Sequence, residues 1–207
     1  DPALGDAHAV GDLLLGQAAG AADLGEAVSD DLGEHLALAG RNRFVSGNFV
    51  FTRGQWNVEV PQDPDHYYWG EEFNVTVRSF TWGYDFFLPT EVVVWHMDHR
   101  QGPPRRHWEH GDDVVRARNA VAQERLRRLL FADSADSLLP YGLGQARSLR
   151  EYELYAGLDL ARRRAHPDAY TGANPDPVTI RSPADWDRCL AWEEAKRLLD
   201  AGELAMR

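Results

Sequence analysis

Glu71 and Glu72 are neighbouring carboxylates placed directly before an apolar run, Phe73 to Trp82. Acids at that point lie near the positive end of a helix dipole. Two readings follow: ordinary N-terminal charge, or an acidic pair in a pocket for sugar hydroxyls, a metal or an acceptor. The preceding loop, His66-Tyr67-Tyr68-Trp69, is strongly aromatic, and aromatic faces suit the C–H surfaces of carbohydrates. His96 closes another apolar run, Val92-Val93-Val94-Trp95. An imidazole at a strand end is either a metal ligand facing a cleft or a hydrogen-bonded structural group. His96, His99, His107 and His110 cluster, but their spacing matches no zinc signature. Arg100, Arg105 and Arg106 follow His96, with Arg147 and Arg150 further on. Guanidinium groups bind diphosphates through paired N–H donors, or simply stay solvated at the surface.

Other short patterns carry less. Asn74-Val75-Thr76 spells a glycosylation sequon inside a predicted helix, and Asp185-Trp186-Asp187 spells D-x-D where capping explains it better. There is no nucleophile elbow, Walker loop or G-x-G-x-x-G.

The elements that must position these residues can be read from periodicity. Residues 1–40 form an Ala/Gly-rich lead, with Leu24, Val28, Leu32, Leu36 and Ala39 at helical spacing and Gly40 as a stop. At residue 41 the chain becomes aromatic and β-branched. Phe44 to Thr52 predicts a buried strand, with Gly47 marking a close backbone approach. Pro61 to Tyr68 is a turn-rich loop, and Phe73 to Trp82 predicts a helix stopped by Gly83. Strands are predicted at Tyr84 to Leu88 and Glu91 to His96, and a helix with a basic outer face from Asp112 to Leu130. Tyr141-Gly142-Leu143-Gly144 is a turn too plain for a phosphate loop. Ser148 and Glu151 make a capping box for a short helix ending at Gly157. Residues 161–181 read as a linker, and 182–207 as a C-terminal amphipathic helix opened by Ser182-Pro183.

Composition narrows the classes. The chain has 207 residues, 43% hydrophobic and 27% charged, within the range of one globular domain. Seven Trp, seven Tyr and eight Phe supply enough apolar surface to offset the entropy of ordering, which excludes a disordered chain. The net charge of −11 repels phosphate backbones, so no nucleic-acid partner is expected. No apolar run approaches the ~20 residues of a membrane span. The single cysteine, Cys189, excludes an intrachain disulfide and points to a reducing, cytoplasmic setting.

Several pieces stand in a recognisable order: Ser46-Gly47-Asn48-Phe49-Val50-Phe51, Val60-Pro61-Gln62-Asp63-Pro64, Trp69-Gly70-Glu71-Glu72, and Arg78 with Thr81-Trp82-Gly83-Tyr84-Asp85. Pro89-Thr90, Val94-Trp95-His96 with Arg100, and Tyr141-Gly142-Leu143-Gly144-Gln145-Ala146-Arg147-Ser148 complete the series. Over roughly residues 42–160 this resembles the GlcNAc-transferase family whose best-known members modify a hydroxyproline of a cytoplasmic ubiquitin-ligase adaptor. The resemblance implies an α/β fold, a partial GT-A type, Rossmann-like glycosyltransferase sandwich with C-terminal helices. It implies a UDP-sugar donor, a divalent metal with manganese the expected ion, and a polypeptide or glycan acceptor. By the same analogy Glu71 and Glu72 are the catalytic acids, His96 is the metal ligand, and Arg100, Trp69 and Gly70 lie at the donor. Substitution is expected on the same face of the sugar.

Such enzymes also carry an acidic metal-gripping motif upstream of the G-E-E piece. Asp6-Ala7-His8 has that spelling, but Pro2-Ala3-Leu4-Gly5 before it is no strand. Residues 41–160 are therefore expected to be the acceptor-side half of a longer enzyme. The alternatives are a degenerate, non-catalytic sugar- or protein-binding module, or an unrelated α+β interaction domain.

Overall fold

The computed structural model describes residues 40–68, 70–89, 92–95, 113–132, 138–175 and 177–204. The predicted helical lead lies outside them. After a single turn of helix, α1 (Trp56–Glu59), the chain enters α2 (Glu71–Thr81). Phe73, Val77 and Phe80 recur at i, i+4 and i+7 and are buried, so one face of α2 is driven into the core. Gly83, at φ 98°, turns the chain away just beyond its end, as its position in the sequence predicts.

The long helix α3 (Asp113–Phe131) packs Leu126 and Leu129 into the same core and leaves most of its charged side chains outside. The helix α4 (Leu149–Ala156) opens on the expected capping box, Ser148 with Glu151, and closes at Gly157 in the left-handed region. Its Tyr152 and Tyr155 rings lie 5.3 and 5.2 Å from the ring of Phe80. Aromatic groups at such separations add to plain area burial.

The C-terminal part closes this core. Strands β1 (Leu158–Asp159), β2 (Arg164–Ala165) and β3 (Leu190–Ala191) form one antiparallel sheet in the order β1-β2-β3. Helices α5 (Pro167–Tyr170), α6 (Pro183–Asp187) and α7 (Trp192–Asp200) surround it. Tyr170, Trp192 and Ala195 are buried in the same cluster as Phe73 and Tyr152. Residues 161–181, read as a linker, thus hold a strand, a helical turn and the fully buried Tyr170. Their Pro and Gly residues mark tight turns within packed chain. The single helix expected over 182–207 is divided in two by the buried Cys189 and strand β3.

Arg43 joins the start of the described chain to this C-terminal part. Its guanidinium donates to the carbonyls of Ala156 and Ala173 and to Thr179 Oγ1. Tyr152 and Tyr155 hydroxyls donate back to the carbonyls of Arg43 and Asn42. Burial lowers the Arg43 pKa to about 10, which still leaves it charged at neutral pH.

Among the described residues the three predicted strands, Phe44–Thr52, Tyr84–Leu88 and the part of Glu91–His96 that falls at 92–95, are not formed as such. Residues 84–88 contribute a bridge between Arg41 and Phe87, flanked by Asn42 N–H to Phe86 O at 2.9 Å and Leu88 N–H to Gly40 O at 2.8 Å. Residues 44–52 form no strand, because Val45 and Gly47 N–H donate to side chains of α2. Phe51 is 91% exposed and Trp95 80% exposed; the described residues 92–95 lie outside any sheet. The described residues are therefore a mixture of helices and one small antiparallel sheet.

Candidate functional site

The N-terminus of α2 is built by unusual backbone. Tyr68 has φ 34° and Gly70 φ 77°, so two residues in the left-handed region turn the aromatic loop into the helix. A Cβ at Gly70 would stand 3.0 Å from Leu126 Cδ2 on α3 and 3.7 Å from His66 Nε2. Glycine is needed there for both its conformation and its size. The loop before it is fastened to α3 by Asp63, 3% exposed, which accepts from Arg125 Nε at 2.7 Å.

Glu71 and Glu72 then occupy the first turn, both partly buried. Gly47 passes directly over them. Its N–H donates to Glu72 Oε1 at 2.5 Å, and a Cβ at residue 47 would lie 3.1 Å from Glu71 Oε1 and 3.2 Å from Glu72 Oε1. The close approach predicted at Gly47 is thus an approach to this carboxylate pair. Burial, and then the neighbouring charge of Glu72, push Glu71 up to about 7. Burial also raises Glu72, while the Gly47 N–H acts in the opposite direction. Both acids are thus made harder to ionise by burial, Glu71 further by its neighbour's charge, while Glu72 alone has a backbone donor acting against that rise.

Other sequence candidates are placed differently. Trp69, His96 and Arg100 lie outside the described residues, as do His99, Arg105, Arg106, His107 and His110. Gly70 is present as the turn that delivers the two acids. Arg147 pairs with Asp85 at 2.9 Å and lies 4.3 Å over the Phe80 ring. Arg150 pairs with Glu153 at 2.9 Å and covers Trp186 at 4.6 Å. Both are committed to the fold. Asp185 accepts from Ser182 N–H at 2.8 Å in a capping box, so the D-x-D spelling is a helix start. Asn74 of the sequon is 3% exposed and accepts from Arg78. Arg78 is fully buried and also donates to the Pro61 carbonyl at 2.8 Å. Among the described residues, no three His, Cys, Asp or Glu side chains are grouped to hold a metal ion. Thr76, read in the sequence only as the end of the sequon, has a place at this site: its hydroxyl accepts from Val45 N–H at 2.9 Å.

The Tyr141–Ser148 motif has a structural place. Gly144 lies against the C-terminal end of α2, its N–H donating to Thr81 Oγ1 at 2.9 Å. Ala146 and Arg147 N–H both donate to the Thr81 carbonyl. The motif therefore clamps the far end of the helix that carries the acids.

The family model described as Glycosyltransferase (GlcNAc) matches residues 27–162. This stretch holds the carboxylate pair, Gly47, Thr76 and the clamp. The chain belongs to that glycosyltransferase family. Neither curated proteins nor solved structures gave a match. No helix among the described residues is long and apolar enough to cross a membrane.

Proposed function

We propose that the chain is the acceptor-side part of a glycosyltransferase that moves N-acetylglucosamine from UDP to a hydroxyl of a polypeptide or glycan in the cytoplasm. The observation that carries this reading is the carboxylate pair of α2, half-desolvated, covered by Gly47 and lying inside the family-matched residues. A carboxylate held by one backbone donor keeps lone pairs for sugar or acceptor hydroxyls. Glu72 has that arrangement. Glu71, pushed up to about 7, can accept or return a proton at neutral pH. In a same-face substitution the acceptor proton passes to the departing phosphate, and the acids orient the two hydroxyl-bearing partners.

The exposed aromatic and β-branched segments 49–51 and 92–95 have the composition of buried strands, which supports a GT-A sheet as the architecture of the whole enzyme. In the same reading Trp69, Gly70 and Arg100 lie along the donor, and His96 is the chain's metal ligand. The described residues do not by themselves make a metal site, so no step is assigned through an ion. When bound, manganese would stabilise charge on the leaving diphosphate.

The test is UDP release from UDP-GlcNAc with manganese, with UDP binding followed by calorimetry. Turnover is expected, falling ~100-fold in Glu72→Gln with the melting temperature retained. Binding of sugar without turnover would make the chain a binding module. A protein that neither binds UDP nor splits the donor would end the transferase reading.

A further inference from the structure

We propose that Thr76 is the positioning residue of the carboxylate site, its buried hydroxyl setting the distance between Gly47 and Glu72. This rests on the reading of Glu72 as a site residue. Thr76 lies one helical turn after Glu72 and is fully buried. Its Oγ1 donates to the Glu72 carbonyl at 2.6 Å and accepts from Val45 N–H at 2.9 Å. Two residues further, Gly47 N–H reaches Glu72 Oε1 at 2.5 Å. One hydroxyl thus ties the backbone of Glu72 to the segment whose amide caps the Glu72 side chain. Serine or threonine bonding back to the carbonyl four residues earlier is a familiar helix habit. Here the same oxygen takes on an additional acceptor role toward a separate segment.

That second bond does work that packing alone would not. Residues 44–48 form no sheet ladder; Phe44 and Val45 pack against the core, and the bonds from Val45 and Gly47 to α2 set where the backbone lies over the acids. Without the hydroxyl, Val45 N–H loses its acceptor, and the Gly47 amide is no longer fixed over Glu72. A carboxylate that loses a backbone donor becomes harder to ionise. The charged group beside Glu72 on its own helix is Glu71. Arg43, next to the segment, turns to Ala156, Ala173 and Thr179, and Arg78 turns to Asn74 and Pro61. His66 lies by Gly70. The Gly47 amide is therefore the group through which Thr76 acts.

The experiment is a carbon-13 NMR titration of the glutamate carboxylates in the full chain, with the Gly47 amide proton followed in parallel. In the wild type the Gly47 amide shift should track the ionisation of Glu72. In Thr76→Val the Glu72 midpoint should rise by about 0.5 in pH or more, and Thr76→Ser should restore it. An unchanged midpoint in Thr76→Val, or an equal rise in Thr76→Ser, would overturn the proposal. If Thr76→Val does not fold, the wild-type amide decides: a Gly47 shift indifferent to Glu72 also overturns it. The catalytic reading fails separately, by full turnover in Glu72→Gln.

Discussion

The two ends of α2 are held in opposite ways. At its C-terminal end Thr81 receives three backbone N–H groups, from Gly144, Ala146 and Arg147. A Cβ at Gly144 would lie 2.5 Å from Trp82 N and 2.6 Å from Thr81 O, so backbone packs on backbone. At the N-terminal end the helix begins without a side-chain cap, and its two acids are partly desolvated with a glycine above them. Burying charge with incomplete partners costs stability. One end anchors the helix. The other presents groups whose protonation and hydrogen bonding remain available for chemistry, and the stability of the first supports the second.

That contrast can be broken most forcefully at Gly144. Gly144→Ala should destabilise the protein by about 3 kcal/mol or more, since neither backbone can yield easily. Urea unfolding measures it, and a loss under ~1 kcal/mol would show that the clamp is looser than described.

Glu71 sharpens the other end. Its pKa is raised to about 7, so the folded protein binds this proton more tightly than the unfolded chain. The associated stability is complete below the ordinary carboxylate pKa and is lost as pH rises through 7. Glu71→Gln, neutral throughout, should exceed the wild type by about 2 kcal/mol at pH 8 and match it near ~pH 4. Unfolding at the two pH values checks this; an equal difference at both would remove the desolvated acid.

The smallest effect on stability is expected at Gly47. An alanine there meets the flexible ends of Glu71 and Glu72, not backbone. Thermal unfolding of Gly47→Ala should show a change within about 1 kcal/mol, while donor turnover falls ~10-fold as the Glu72 contact opens. A large stability loss with normal turnover would make both ends structural.

Much of this was legible beforehand. The helix of the acids, its stop at Gly83, the capping box of Ser148 and the close approach at Gly47 follow from local rules of dipole, φ and hydrogen bonding. The motif order led to the correct family. The composition of Phe44–Thr52 reads as a strand, but β-branched and aromatic residues form one only where a neighbour is present to pair with. Here α2 side chains take the backbone donors instead. Thr76 is legible only as the end of a sequon; its role is not, because that depends on a segment 31 residues away. The turns of 161–181 read as a linker because Pro and Gly signal direction changes without saying whether the chain between them is buried.

The family-matched stretch ends at residue 162, yet the Arg43 guanidinium reaches to Ala173 and Thr179, and the shared core takes in Tyr170, Trp192 and Ala195. The evolutionary footprint is thus smaller than the unit that must fold together. Trimming a gene to the footprint would strip away part of the interior on which the acids depend.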